Sequence, residues 1–111
     1  MENRQKVLNL ISLATKAGKT ASGEFSTEKA VKTKKAHLVI VSIEASDNTK
    51  KKFTNLCTYY QVPIYIFGKK DELGHSMGKE FRASLAVLEE GFAKALVKQM
   101  NINGGSKYES S

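Results

Sequence analysis

The stretch Leu38-Val39-Ile40-Val41-Ser42-Ile43 decides how the rest of the chain is read. It is a nearly continuous run of apolar and β-branched residues, without the polar alternation of a strand that turns one face to water. Such a run suits a central strand covered on both faces. Both flanks must then supply helices to cover it.

Downstream, Ser46 stands where it can cap a helix in which Phe53, Leu56, Cys57 and Tyr60 fall at i, i+3, i+4 and i+7. That helix ends before a strand over 62–67, and Pro63, which cannot donate to a ladder, places the start of this strand at a free or edge position. Upstream, Ser22 and Gly23 read as the cap of a strongly basic second helix, with Phe25, Ala30 and Val31, that ends near Lys35. Before it, Val7, Leu10, Ile11 and Ala14, widened by Leu8 and Leu13, mark a first helix over 3–17, with Gly18 where a left-handed cap would close it. Thr20 and Ala21 leave room for a short strand.

Beyond the second strand, 68–78 holds three glycines and mixed charge and reads as an irregular loop with one helical turn at 71–73. A last strand follows over 81–88, and then a last helix over 90–100 with Phe92, Leu96, Val97 and Met100 facing inward. Helices alternating with strands imply an α/β fold, a three-layer α/β/α sandwich around a central mixed sheet of about four strands. One domain is expected over 1–101, followed by a flexible Gly, Ser and polar tail over 102–111.

The 111 residues suffice for one core but not two, and 41% hydrophobic with 26% charged residues is ordinary for a globular protein. The formal charge of +7, with a pI near 9.5, favours a polyanion, either nucleic acid or an anionic membrane surface. No run approaches the roughly 18 apolar residues of a membrane span, and the first residues lack the pattern of a signal peptide, so a cytoplasmic location without a membrane partner is expected. Cys57 is alone, and with only His37 and His75 beside it no metal site or other cofactor is expected.

Catalysis finds little support. Cys57 falls on the apolar face of its helix, where a neutral buried thiol is the ordinary state. No glycine-rich phosphate loop ending in Lys-Ser or Lys-Thr occurs, and the adjacent Glu89 and Glu90 would point about 100° apart on a helix, too divergent for a paired acid and base.

Binding is better served. Lys29, Lys32, Lys34 and Lys35, then Lys50, Lys51 and Lys52, then Lys69 and Lys70 form three basic runs that would make one positive edge if the element ends converge. Otherwise they simply solvate helix faces. Ser22-Gly23-Glu24-Phe25 at a helix start offers free N–H groups to a phosphate or base edge, or is a plain cap. Leu73-Gly74-His75-Ser76-Met77-Gly78 has the makeup of an apolar platform for an unstacked base, or of a surface turn with a leucine plugged into the core.

Four motifs occur together and in order: Ala17-Gly18-Lys19 with Ser22-Gly23-Glu24, then Glu44-Ala45-Ser46 with Asn48-Thr49 and Lys51-Lys52, then Cys57-x-Tyr59-Tyr60-x-Val62-Pro63, then Leu73-Gly74-x-Ser76-x-Gly78-Lys79-Glu80. Through them the chain resembles the L-seven-Ae ribosomal protein family, most nearly its bacterial YlxQ branch. The resemblance covers almost everything before the tail. It implies a three-layer α/β/α sandwich that binds kink-turn RNA, gripping two sheared G·A pairs with the start of the second helix and enclosing an extruded nucleotide with the later loop. On the family motif Gly-x-Asn-Glu-x-x-Lys the glycine falls on Gly23 and the lysine on Lys29, while Phe25 and Ser26 stand at the Asn and Glu positions. Lys70, Leu73, Gly74 and Ser76 match the family loop, and Thr49 stands where relatives often place an apolar residue beside the extruded nucleotide.

The expected RNA contacts are thus Gly23, Glu24, Phe25, Ser26, Lys29, Lys32, Thr49, Lys70, Leu73, Gly74, His75 and Ser76. The expected partner is structured RNA of the kink-turn type, with ribosomal RNA and the ribosome as its setting, bound by a monomer without catalytic activity. The alternative is a protein-interaction module of a translation or transcription assembly that has kept the fold and lost kink-turn recognition.

Overall fold

The computed structural model describes residues 2–102 and 106–107, with side chains over 4–101. In chain order the elements are α1 (Glu2–Lys16), β1 (Thr20–Ser22), α2 (Glu24–Lys32), β2 (Leu38–Val41), α3 (Asp47–Tyr60), β3 (Ile64–Ile66), α4 (Lys70–Ser76), β4 (Ser84–Val87), α5 (Glu90–Ile102) and β5 (Ser106–Lys107). The sheet order is β1-β4-β2-β3-β5, so β2 lies at its centre. All four residues of β2 are buried, as the uninterrupted apolar run requires.

Alternation along β2 divides the core. Leu38 and Ile40 face a cluster built with Val7 and Ile11 of α1, Leu73 of α4, and Leu96 and Met100 of α5. Val39 and Val41 face the opposite cluster, which holds Ala30 and Val31 of α2 and Phe53 and Cys57 of α3. This is the expected three-layer sandwich, with α1, α4 and α5 on one face and α2 and α3 on the other. The sheet is mixed: β2 pairs parallel with β3, whereas β4 runs antiparallel to both β1 and β2.

The expectations fail in four places. Helix α2 stops at Lys32, because Lys34 takes a left-handed conformation (φ 63°) that turns the chain towards β2. The segment expected as a loop contains the two-turn helix α4. The last strand begins at Ser84 rather than 81, since Arg82 is drawn aside by bonds to α4 and β1. A short fifth strand, Ser106–Lys107, lies antiparallel to β3 within the stretch read as tail. The remainder of that tail, 103–105 and 108–111, lies outside the described residues. Among the described residues no helix is long and apolar enough to cross a membrane.

Candidate nucleic-acid interface

The strand directions fix where the helices begin. β1, β2 and β3 run the same way and β4 runs against them, so the C-terminal ends of the first three and the start of β4 share one sheet edge. Helices α2, α3 and α4 follow those strands and therefore all start at this edge, where their N–H groups carry partial positive charge. Two of the three basic runs, Lys50 to Lys52 and Lys69 to Lys70, arrive there with them.

Hydrogen bonds hold the edge together. The Gly23 N–H donates to the Ser84 carbonyl at 3.0 Å, and Arg82 Nε donates to Ser22 Oγ at 3.1 Å, tying β4 to the turn before α2. The Arg82 N–H donates to the Lys70 carbonyl at 3.0 Å, while the Lys70 N–H donates to Glu44 Oε1 at 2.9 Å. The buried Ser42 hydroxyl donates to the Gly68 carbonyl at 2.9 Å. Four segments distant in sequence thereby hold a common arrangement.

The three helix starts differ in what occupies their N–H groups. At α3, Ser46 Oγ accepts from the Thr49 N–H at 3.1 Å and donates to the Thr49 hydroxyl at 3.0 Å. At α4, Glu72 Oε1 accepts from the Lys69 N–H at 2.9 Å, beside the Glu44 carboxylate on Lys70. At α2 the cap position is Gly23, with φ 91° and no side chain to fold over the first turn. The N–H groups of Glu24, Phe25 and Ser26 precede the first 5→1 bond, which runs from the Thr27 N–H to the Gly23 carbonyl, and so have no partner within the helix and are open to an acceptor.

Around this open turn Glu24, Phe25, Ser26 and Lys29 are all exposed, Phe25 to 78%. Lys52 reaches across from α3 to Glu24 and Glu28 at 2.9 and 2.7 Å. Glu28 accepts from Lys32 and Lys52, and these hydrogen bonds pull its carboxyl down to about 2; the same network raises Lys52. On the other side of the sheet, burial pushes Glu72 up, but hydrogen bonds from Arg4 and the Lys69 N–H outweigh it and hold this carboxyl below its ordinary value. The Arg4–Glu72 ion pair thereby anchors α4 to α1.

Several expected contacts are placed differently. Leu73 has no exposed surface and packs against Val7, Leu38 and Leu85, so it is the core plug rather than a platform for a base. Gly74 is buried under the backbone of Glu80 and Phe81, where an added Cβ would stand 2.5 Å from the Glu80 carbonyl oxygen. Neither presents a side chain at the surface. Lys32, Lys34 and Lys35 do not reach the edge, since they sit at or beyond the far end of α2, about 12 Å along its axis. His75 is exposed in the last turn of α4, and Ser76 donates its hydroxyl to the Glu72 carbonyl. Gly23, Glu24, Phe25, Ser26, Thr49 and Lys70 are brought together at the edge, with Lys29 one turn further along α2.

The structure adds Ile43, Glu44, Phe81 and Arg82, which the sequence reading passed over as strand or unassigned residues. Phe81 is 60% exposed just before β4, and its backbone passes against Gly74 of α4. The signal was the charged Lys79-Glu80 before it, which marks a surface approach to β4 rather than a buried strand. Cys57 is buried and its thiol pushed up to about 12 by burial, which leaves it protonated and unreactive at neutral pH. Among the described residues no group of three His, Cys, Asp or Glu is placed to hold a metal.

Comparison with known proteins bears on the fold and the family. The chain is 40% identical over 92 residues to the RNA-binding protein YlxQ of Bacillus subtilis, covering 83% of this chain and 92% of that one. It is 32% identical to the large ribosomal subunit protein eL30 of Candida albicans, covering 81% and 87%. A solved protein of unknown function from Bacillus halodurans superposes with a TM-score of 0.84 at 35% identity, covering 86% of this chain and 97% of that one. A Giardia lamblia 15.5 kD RNA-binding protein shares the fold, with a TM-score of 0.76 at 20% identity over 92% and 88%. The profile of one family spans residues 5–97, nearly every element described above, and the chain belongs to that family, ribosomal protein L7Ae/L30e/S12e/Gadd45.

Proposed function

We propose that the chain is a non-catalytic cytoplasmic protein that binds structured RNA of the kink-turn type, as a monomer and in association with ribosomal components. The open first turn of α2 carries this reading. Of three helix starts at one basic edge, it alone among the described residues presents its N–H groups without a carboxylate or hydroxyl over them. A sharply bent backbone brings phosphates close together, and this turn, flanked by Lys29, Lys70 and Arg82, offers donors of matching sign. The relatives described above, an RNA-binding protein and a ribosomal subunit protein, point the same way.

Phe25 and Ser26 alter how bases are met. An exposed ring cannot accept hydrogen bonds from guanine edges as an Asn or Glu side chain does, but it can stack on the face of an unpaired base. Recognition is therefore weighted towards backbone shape and stacking, and less towards the identity of the G·A pairs. Gel-shift titration of one kink-turn RNA, its variant lacking the G·A pairs and a straight duplex of equal length tests this. The kink-turn RNA and its variant are both expected to bind more tightly than the duplex, and equal affinity for all three removes kink recognition.

A further inference from the structure

A second feature lies outside the edge. Helices α2 and α3 start together and run side by side, leaving a groove of about 520 Å³ between them. Its walls carry Glu28 and Lys32 from α2 and Lys52, Leu56, Tyr59 and Tyr60 from α3. These α3 residues recur at i, i+4, i+7 and i+8, a single stripe, yet Tyr59 is 79% exposed rather than buried against α2. Tyr60 meets it edge to face at 4.9 Å between ring centres and 79° between planes, which holds the pair in place and leaves a face of Tyr59 open to solvent.

The charges line up with the rings. Lys52 donates to Glu24 and Glu28, and Lys32 donates to Glu28 at 2.7 Å. An ammonium has three N–H donors, so one remains on Lys52 and two on Lys32. The carboxylates thus orient the lysines without using up their donors. Because Lys52 touches Glu24, the first residue of α2, the groove opens directly onto the basic edge, and Tyr59 stands about 10 Å further along α3.

We infer that this groove takes an unpaired nucleotide of the RNA strand leaving the edge, its base stacked on Tyr59 and its phosphate held by the free donors of Lys32 and Lys52. The inference rests on the RNA-binding reading and extends it from kinked duplex to the single strand beside it. Aromatic faces flanked by cations are the common means of holding single strands, and the stacking is tolerant of base identity. Little aliphatic surface lines the groove beyond a half-buried Leu56, which favours a stacked base over an apolar helix of a protein partner.

The test uses one kink-turn RNA in three forms: flush-ended, with five unpaired adenosines on the 5′ end, and with the same tail on the 3′ end. Affinities are read by fluorescence anisotropy. For the wild type, one of the two tails is expected to tighten binding about tenfold. Tyr59→Ala should abolish that gain and leave flush-ended binding unchanged, while Tyr59→Phe, which keeps the ring, should retain it. A gain that survives Tyr59→Ala, no gain from either tail, or an equal loss on all three RNAs overturns the inference; with flush-ended binding intact, the first two leave the kink-turn reading standing. Failure of the wild type to bind any of the three overturns both.

Discussion

Gly74→Ala tests the physical support of the site. Alanine is normally favoured over glycine inside a helix by about 1 kcal/mol, so in isolation the substitution should stabilise α4. Here the new Cβ would stand 2.5 Å from the Glu80 carbonyl oxygen, 2.6 Å from its carbon and 2.8 Å from the Phe81 nitrogen, all backbone atoms. Relief requires the two segments to part by roughly 1 Å. They cannot part freely, because the Lys79 N–H bonds to the Gly74 carbonyl at 2.8 Å and the Arg82 N–H to the Lys70 carbonyl at 3.0 Å, on either side of the contact. Overpacking costs about 1–3 kcal/mol and a lost backbone hydrogen bond about 1 more, against the gain of about 1 from helix propensity. The expected net loss is about 1–3 kcal/mol, or roughly 5–20 °C in Tm for a domain of this size. Urea titration with an unchanged m-value measures it, and RNA affinity should fall as well, because Phe81 and Arg82 are displaced. A Gly74→Ala protein as stable as the wild type, or more stable, refutes the close approach of α4 and the 79–82 segment.

Other substitutions probe separate links. Lys29→Ala is expected to weaken kink-turn binding by about 1–3 kcal/mol and to lower the log-log salt slope by nearly one unit; unchanged affinity across a salt series removes Lys29 from the interface. Ser46→Ala removes the acceptor from the Thr49 N–H and should cost about 1 kcal/mol of stability, read by urea titration. Glu28 titrates near 2 in the folded protein against 4.5 for an unperturbed group, so its pairs with Lys32 and Lys52 stabilise the fold above pH 4.5 and are lost as pH falls towards 2. The stability gap between wild type and Glu28→Gln should therefore shrink across that window, and a gap independent of pH would show that the pairing contributes nothing.

The sequence made some elements plain and hid others for identifiable reasons. β2 was legible because burial on both faces leaves an unbroken apolar run, and α3 because Ser46 and the Phe53-to-Tyr60 spacing act locally. α4 was hidden because its two reasons to exist are distant. Gly74 is there for contact with the Glu80 and Phe81 backbone, and the Lys70 N–H is capped by Glu44 from another loop. From the sequence, Leu73 and Gly74 fitted either a platform for a base or a turn with a leucine plugged into the core, and only these distant contacts decide for the second. At the interface, Gly23 and its neighbours could be found from local chemistry, whereas Phe81 and Arg82 had strand-like character and gained their place only through bonds to Ser22 and Lys70. Which lysines share an edge depended on strand direction, and this separated Lys70 from Lys34 and Lys35.

An amide NMR titration of the ¹⁵N-labelled protein with a kink-turn RNA addresses the interface most directly. Shift changes should be largest for 23–26, 46–50, 69–71 and 79–82, where three helices start and β4 begins, with the unbonded N–H groups of Glu24, Phe25 and Ser26 among the strongest. Changes concentrated instead at the opposite sheet edge, over 34–38, 61–63 and 88–90, would contradict RNA binding at the open turn of α2.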